Sequence, residues 1–135
     1  HYTHLTFALS GDDDKEAVSA AKGILASFPK IDINGFSAEQ KKEYAELESS
    51  IKEHAQHIAD NAGNIDHQRE HLDLMSEDFY DLLKDFGTPK PVYKVFCPMY
   101  NDNKGAFWLS DSREVKNPYY GKKMASCGEV QEEIK

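Results

Sequence analysis

Long apolar runs are missing from this chain. Nowhere do apolar residues approach the roughly 20 in succession that a bilayer-spanning helix needs, so no transmembrane segment is expected. Basic residues are also scarce: 16 Lys and Arg stand against 24 Asp and Glu, a formal charge of −8 with histidines neutral. Phosphate recognition needs a basic stripe, and its absence sets nucleic-acid binding aside. Two cysteines are too few for a disulfide-stapled scaffold. There is no GxSxG elbow, no glycine-rich phosphate loop and no HExxH, so no familiar catalytic pattern is present and a non-enzymatic role is expected. The chain starts at His1 rather than at a methionine, as it would after removal of a leader.

What is present suits one folded domain. A chain of 135 residues can bury roughly two-thirds of its unfolded surface. Hydrophobic residues at 39% and charged residues at 30% lie in the globular range and argue against disorder.

The first two-thirds read as helices. Tyr2, Leu5 and Leu9 recur at helical spacing, and Ser10 to Asp14 interrupt them with capping residues. Ala17, Ala21, Ile24 and Phe28 carry a second stripe to Pro29, which ends it. Ser37-Ala38-Glu39-Gln40 matches a capping box and opens a third helix through Tyr44, Leu47, Ile51 and Ile58. Asn61 to Asn64 read as a break or tight turn, or as the weak middle of one continuous helix. Ile65, Leu72, Phe79 and Phe86, spaced by seven, make the clearest amphipathic helix, with Gly87 at its C-terminus and Pro89 and Pro91 forbidding continuation. Short loops favour antiparallel neighbours. Beyond Pro91, Val92 to Phe96 have strand character, a turn follows at Asn101 to Gly105, and Ala106 to Leu109 form a second apolar run. The expected fold is mainly α: a single domain over 1–135, with an up-and-down bundle of three or four helices (1–88) and a short irregular or β C-terminal segment (89–135) packed on it.

Potential ligands are concentrated. Cys97 and Met99 are two apart, Met124 and Cys127 three apart, and thiolate and thioether sulfurs prefer soft cations such as Cu(I). The two cysteines have three readings: metal ligands, a disulfide closing a loop of about 30 residues, or buried inert thiols. His67 and His71 are four apart and share one helix face. His57 and His54 lie on the preceding helix, where His54 falls at a core-facing position. Antiparallel packing of the two helices would bring His57 near His67 or His71. Helical histidines with sulfur ligands would make a mixed N/S site. Arg69, beside the core stripe, is placed to pair with a carboxylate of a neighbouring helix.

Four blocks of the C-terminal third carry a resemblance: Phe96-Cys97-Pro98-Met99-Tyr100, Lys104-Gly105-Ala106-Phe107-Trp108-Leu109-Ser110, Asn117-Pro118-Tyr119-Tyr120-Gly121, and Met124 with Cys127-Gly128. With His57-Ile58-Ala59 and His67-Gln68-Arg69-Glu70-His71-Leu72, they resemble a bacterial family known as domain of unknown function 3347. Leu72 stands where an aromatic is commoner and Phe107 where tyrosine is common. The resemblance implies an exported domain, related to segments at the C-terminal end of periplasmic adaptors of heavy-metal efflux pumps.

The functional expectation is a soft-metal-binding protein of the bacterial envelope, periplasmic or secreted, acting in sensing, buffering or delivery. Its ligand set is Cys97, Met99, Met124, Cys127, His67, His71 and His57, with copper as Cu(I) first and zinc second. Its partners are the metal ion and an envelope metal-efflux or delivery protein. The competing expectation is a structural or interaction module with a Cys97–Cys127 disulfide and no metal.

Overall fold

A computed structural model describes residues 1–88 and 90–134. Four long helices run in chain order: α1 (Tyr2–Ser10), α2 (Asp14–Ser27), α3 (Ala38–Ala59) and α4 (Ile65–Phe86). They are followed by β1 (Val92–Cys97), a single helical turn α5 (Tyr100–Asn103), β2 (Ala106–Ser110) and β3 (Glu129–Ile134). Successive long helices pack on one another, as short connections require, and the sheet lies against α4 and α1. Pro89, one of the two prolines expected to stop α4, lies outside the described residues.

Local chemistry sets the helix ends. The Asp13 carboxylate caps α2 by accepting from Glu16 N at 3.0 Å. The capping box of α3 is reciprocal: Gln40 N donates to Ser37 Oγ at 3.1 Å and Ser37 N donates to Gln40 Oε1 at 2.9 Å. Asn64 caps α4, so the 61–64 segment is a true break between two helices. Gly87 ends α4 with φ at +83°, a conformation an L side chain rarely adopts.

The core follows the apolar stripes. Leu5, Leu9, Ile24, Ile51, Ile58, Leu72 and Met75 are buried, and Ala17, Ala20 and Ala21 let α2 approach its neighbours closely. The three strands form an antiparallel sheet in the order β2-β1-β3, with Val95 opposite Trp108 and Phe96 opposite both Phe107 and Glu129. The third strand goes beyond what the sequence signals, because Glu129-Val130-Gln131-Glu132-Glu133-Ile134 is charged and reads as a solvated tail. It forms because β1 offers it an open edge, and a bulge at Lys94/Val95 accommodates the pairing.

Polar groups fasten the sheet and the loops to α4. Arg69 is 7% exposed. Its Nε donates to Pro118 O at 2.7 Å, and one terminal nitrogen donates to Leu9 O and Asp12 Oδ1, both at 2.8 Å. The expected carboxylate partner therefore lies in the turn between α1 and α2 rather than on a helix. Asp12 also accepts from Lys122 N at 3.1 Å, and the Arg69 hydrogen bond holds its carboxyl below the usual carboxylate range. Gly121 passes so close that a Cβ there would collide with the Asp12 carboxylate. Gln68 Nε2 donates to Ile58 O and Asp14 O. Tyr2 Oη meets Ser76 Oγ at 2.6 Å and accepts from Leu109 N at 3.1 Å, joining α1, α4 and β2.

Asp73 of α4 lies under the tyrosines of this junction. Burial pushes the Tyr2 and Tyr100 hydroxyls up to about 12, and the Asp73 charge adds to both. Burial, then the Glu77 charge, raises the Asp73 carboxyl from 3.8 to about 6.

Two outcomes are expected. Arg69→Met should cost about 3 kcal/mol in urea unfolding, because it strips a charged donor from buried carbonyls. Asp73 binds its proton more tightly folded than unfolded, so stability falls as pH rises from about 4 to about 6. Asp73→Asn should therefore raise Tm at pH 7.5 and leave it unchanged near pH 3.5; an equal change in Tm at both pH values refutes this.

Candidate metal centre

The seam between α3 and α4 gathers four histidines. Two come from α3, His54 and His57, and two from α4, His67 and His71. His71 is the hub. Its Nδ1 lies 3.0 Å from His54 Nδ1 and its Nε2 lies 3.2 Å from His67 Nε2. The His57 ring stacks on it, with centroids 4.6 Å apart and planes 7° from parallel. His67 Nδ1 faces Glu70 Oε2 at 3.2 Å.

Proton roles follow from the ends of this chain of contacts. An ionised carboxylate only accepts, so His67 donates from Nδ1 and its Nε2 presents a lone pair toward His71. The metal-free arrangement is then one directed line: His54 Nδ1–H to His71 Nδ1, His71 Nε2–H to His67 Nε2, and His67 Nδ1–H to Glu70. Burial, then the charges of His57, His54 and His67, lowers the His71 pKa to about 4, and Glu70 opposes this. His71 is therefore neutral at physiological pH.

His57, His67 and His71 each offer a ring nitrogen, and these atoms all lie within 4.8 Å of one another. Two nitrogens on one tetrahedral ion, at a metal–nitrogen length of about 2.0–2.1 Å, stand about 3.3 Å apart. The 3.2 Å between His67 and His71 matches that spacing. Placing an ion there needs two tautomer changes: the His71 proton moves from Nε2 to Nδ1 and the His54 proton from Nδ1 to Nε2, so that His71 donates to His54. Both α4 imidazoles would then have an acceptor behind them, Glu70 for His67 and His54 for His71, as metal-bound histidines usually do. His57 is exposed and His67 and His71 are half-buried, so an ion held by the three would keep a fourth position toward solvent.

The sulfurs gather elsewhere. Cys97, fully buried at the end of β1, and half-buried Cys127 bring their Sγ atoms to 2.8 Å. Burial, then the Cys97 neighbour, pushes the Cys127 thiol up, and a backbone N–H from Met99 partly offsets this. Met99 is 46% exposed and Met124 half-buried. Among the described residues, the group of three or more potential ligands contains imidazoles and no sulfur. The reason is helix geometry. Tyr100, three residues beyond Cys97, meets the charges of Asp73, Glu70, Arg69 and Asp66. On average that stripe of α4 lies about 130° round the helix from His67 and His71, with Glu70 at its near edge. The structure thus brings together five of the seven proposed ligands, as a group of three histidines and a pair of cysteines rather than as one shell, and places neither Met99 nor Met124 in those groups.

Two residues that matter were not singled out as site residues. His54 reads as a core position, and only tertiary packing reveals it as the partner of His71; its i,i+3 spacing to His57 was the available signal. Asn117, fully buried, accepts from Tyr119 N and Tyr120 N at 2.8 and 3.0 Å and donates to Cys127 O at 2.7 Å. The Asn-Pro-Tyr block is thus the fastener of the tail.

A family profile described as protein of unknown function (DUF3347) matches residues 1–90. The chain belongs to that family. The match to DUF3347 covers the four helices and all four seam histidines, and it ends before β1, so the Cys-Pro-Met, Asn-Pro-Tyr and Met124–Cys127 blocks lie beyond it. No curated protein and no solved structure matches the chain.

In metal-free protein, His71 should titrate near 4 by imidazole NMR. The unfolded chain takes up this proton near 6.5, so the His71 contribution to stability falls as pH drops from about 6.5 to about 4. A His71 midpoint near 6.5 would contradict the packing described.

Proposed function

We propose that this DUF3347 domain binds one transition-metal ion on His57, His67 and His71. The observation that carries the reading is the 3.2 Å approach of the His67 and His71 Nε2 atoms, with His57 within reach and an acceptor behind each α4 ring. Imidazole donors suit copper, zinc, nickel and iron, and divalent affinities peak at copper, so copper stands ahead of zinc. Two α4 ligands one helical turn apart are held by the helix itself, and the third ties α3 to it. The open fourth position suits capture and release of an ion, which supports sensing, buffering or delivery rather than a chemical step. The raised Cys127 thiol also speaks for binding over nucleophilic catalysis. The resemblance to exported domains supports an envelope setting, with a metal-efflux or delivery protein as partner. The competing module reading, a bridged Cys97–Cys127 pair and no metal, is favoured at one point, the contact of the two thiols.

The test is calorimetric titration of the Cys97→Ala/Cys127→Ser protein with Zn(II) and Cu(II), so that thiols neither bind nor reduce the metal. One ion per chain is expected. His71→Ala should weaken binding by at least about 100-fold and His54→Ala by about 10-fold, as loss of an outer partner does. Affinity should fall on acidification, because protons compete for the same lone pairs. Equal affinity for the parent and His71→Ala would end the proposal.

A further inference from the structure

A separate feature, the cysteine pair, has chemistry of its own. We infer that Cys97 and Cys127 form a disulfide that closes the C-terminal segment onto its sheet, made by thiol–disulfide exchange with an external disulfide.

The two sulfurs meet just past the end of the ladder. The β1–β3 pairing stops at Phe96 and Glu129; continued regularly, it would set Gly128 opposite Cys97 and turn Cys127, one step beyond, to the other face of the sheet. Gly128 makes the approach possible by taking the chain out of the ladder. Its φ is +147°, and a Cβ there would lie 2.9 Å from the Trp108 ring and 3.3 Å from Phe96 O. Asn117 holds the Cys127 carbonyl from the other side, so the second sulfur is positioned by its own loop.

Distance decides between a bridge and a shared ion. Two thiolates on one tetrahedral ion, with metal–sulfur lengths of about 2.3 Å, stand about 3.8 Å apart. The sulfurs here are 2.8 Å apart, too close to share an ion and a small movement from bonding. Cys97 is fully buried, and among the described residues no third His, Cys or carboxylate ligand joins the pair.

Exposure sets the order of events. Half-buried Cys127 is the sulfur an external disulfide can reach, and Cys97 resolves. The Cys127 thiolate attacks one sulfur of R–S–S–R, forming a mixed disulfide and releasing RS⁻. The Cys97 thiolate then attacks the Cys127 sulfur, releasing the second RS⁻. The two thiol protons end on the two RS⁻, so two protein thiols and one R–S–S–R become one protein disulfide and two R–SH. The raised Cys127 thiol favours a slow, lasting closure over rapid cycling. The closed loop contains α5, β2 and the Asn117 turn, the parts that hold the tail against α4.

The experiment incubates reduced full-length chain with glutathione disulfide, alkylates it under denaturing conditions and weighs it intact. A chain two hydrogens lighter with no alkylation is expected, and a lower Tm once it is reduced. Cys97→Ala should instead trap one glutathione on Cys127, and Cys127→Ser should take none. Zinc titration of the imidazoles should be the same in the oxidised and reduced chains, so failure here and failure of the metal proposal are told apart. Full alkylation of the wild-type chain, a glutathione adduct persisting on it, or protection of both thiols by zinc in the reduced chain would each overturn the inference.

Discussion

One guanidinium, that of Arg69, ties two backbone carbonyls and one carboxylate from separate parts of the chain to α4. It reaches the last turn of α1 at Leu9, the following turn at Asp12 and the tail loop at Pro118, all from within the protein. A buried cation is costly unless it is hydrogen-bonded and paired, and these contacts take three of its five N–H donors, one of them on a carboxylate. The arrangement cannot be replaced by lysine, whose point charge lacks the planar fork that serves several acceptors at once. It also fixes the rotation of α4. With Arg69 turned toward α1 and the tail, His67 and His71 are turned toward α3, and the imidazole seam follows from where the arginine is anchored.

Two kinds of donor are thereby kept apart. Imidazoles collect on a half-exposed helix seam. Sulfurs collect at the end of a sheet, one of them out of contact with solvent. Tail and bundle also divide the work mechanically: Asn117 and the stacked rings of Tyr100 and Tyr119, 4.5 Å apart, brace the segment that carries the cysteines.

The family match has the same division. It spans the helices and the seam histidines and ends before the sheet. The blocks of residues most specific to the eye lie in the tail, where their geometry is that of a fastened segment: Asn117 bonds its own turn, Gly128 admits a close approach, and Tyr119 Oη donates to Phe107 O at 2.6 Å. The helical blocks, less distinctive as strings, hold the residues that converge.

Periodicity and caps were enough to place four helices, the capping box at Ser37, the break after Ala59 and the first two strands, because these depend on contacts a few residues apart. The i,i+4 spacing of His67 and His71 likewise made them neighbours before any packing was known. The charged third strand, the Arg69–Asp12 pairing, the place of His54 behind His71 and the distance of the sulfurs from the imidazoles were decided by tertiary structure alone. Each depends on how α4 is rotated and which sheet edge lies open, and those are set by burial across the whole chain rather than by any local stretch of it.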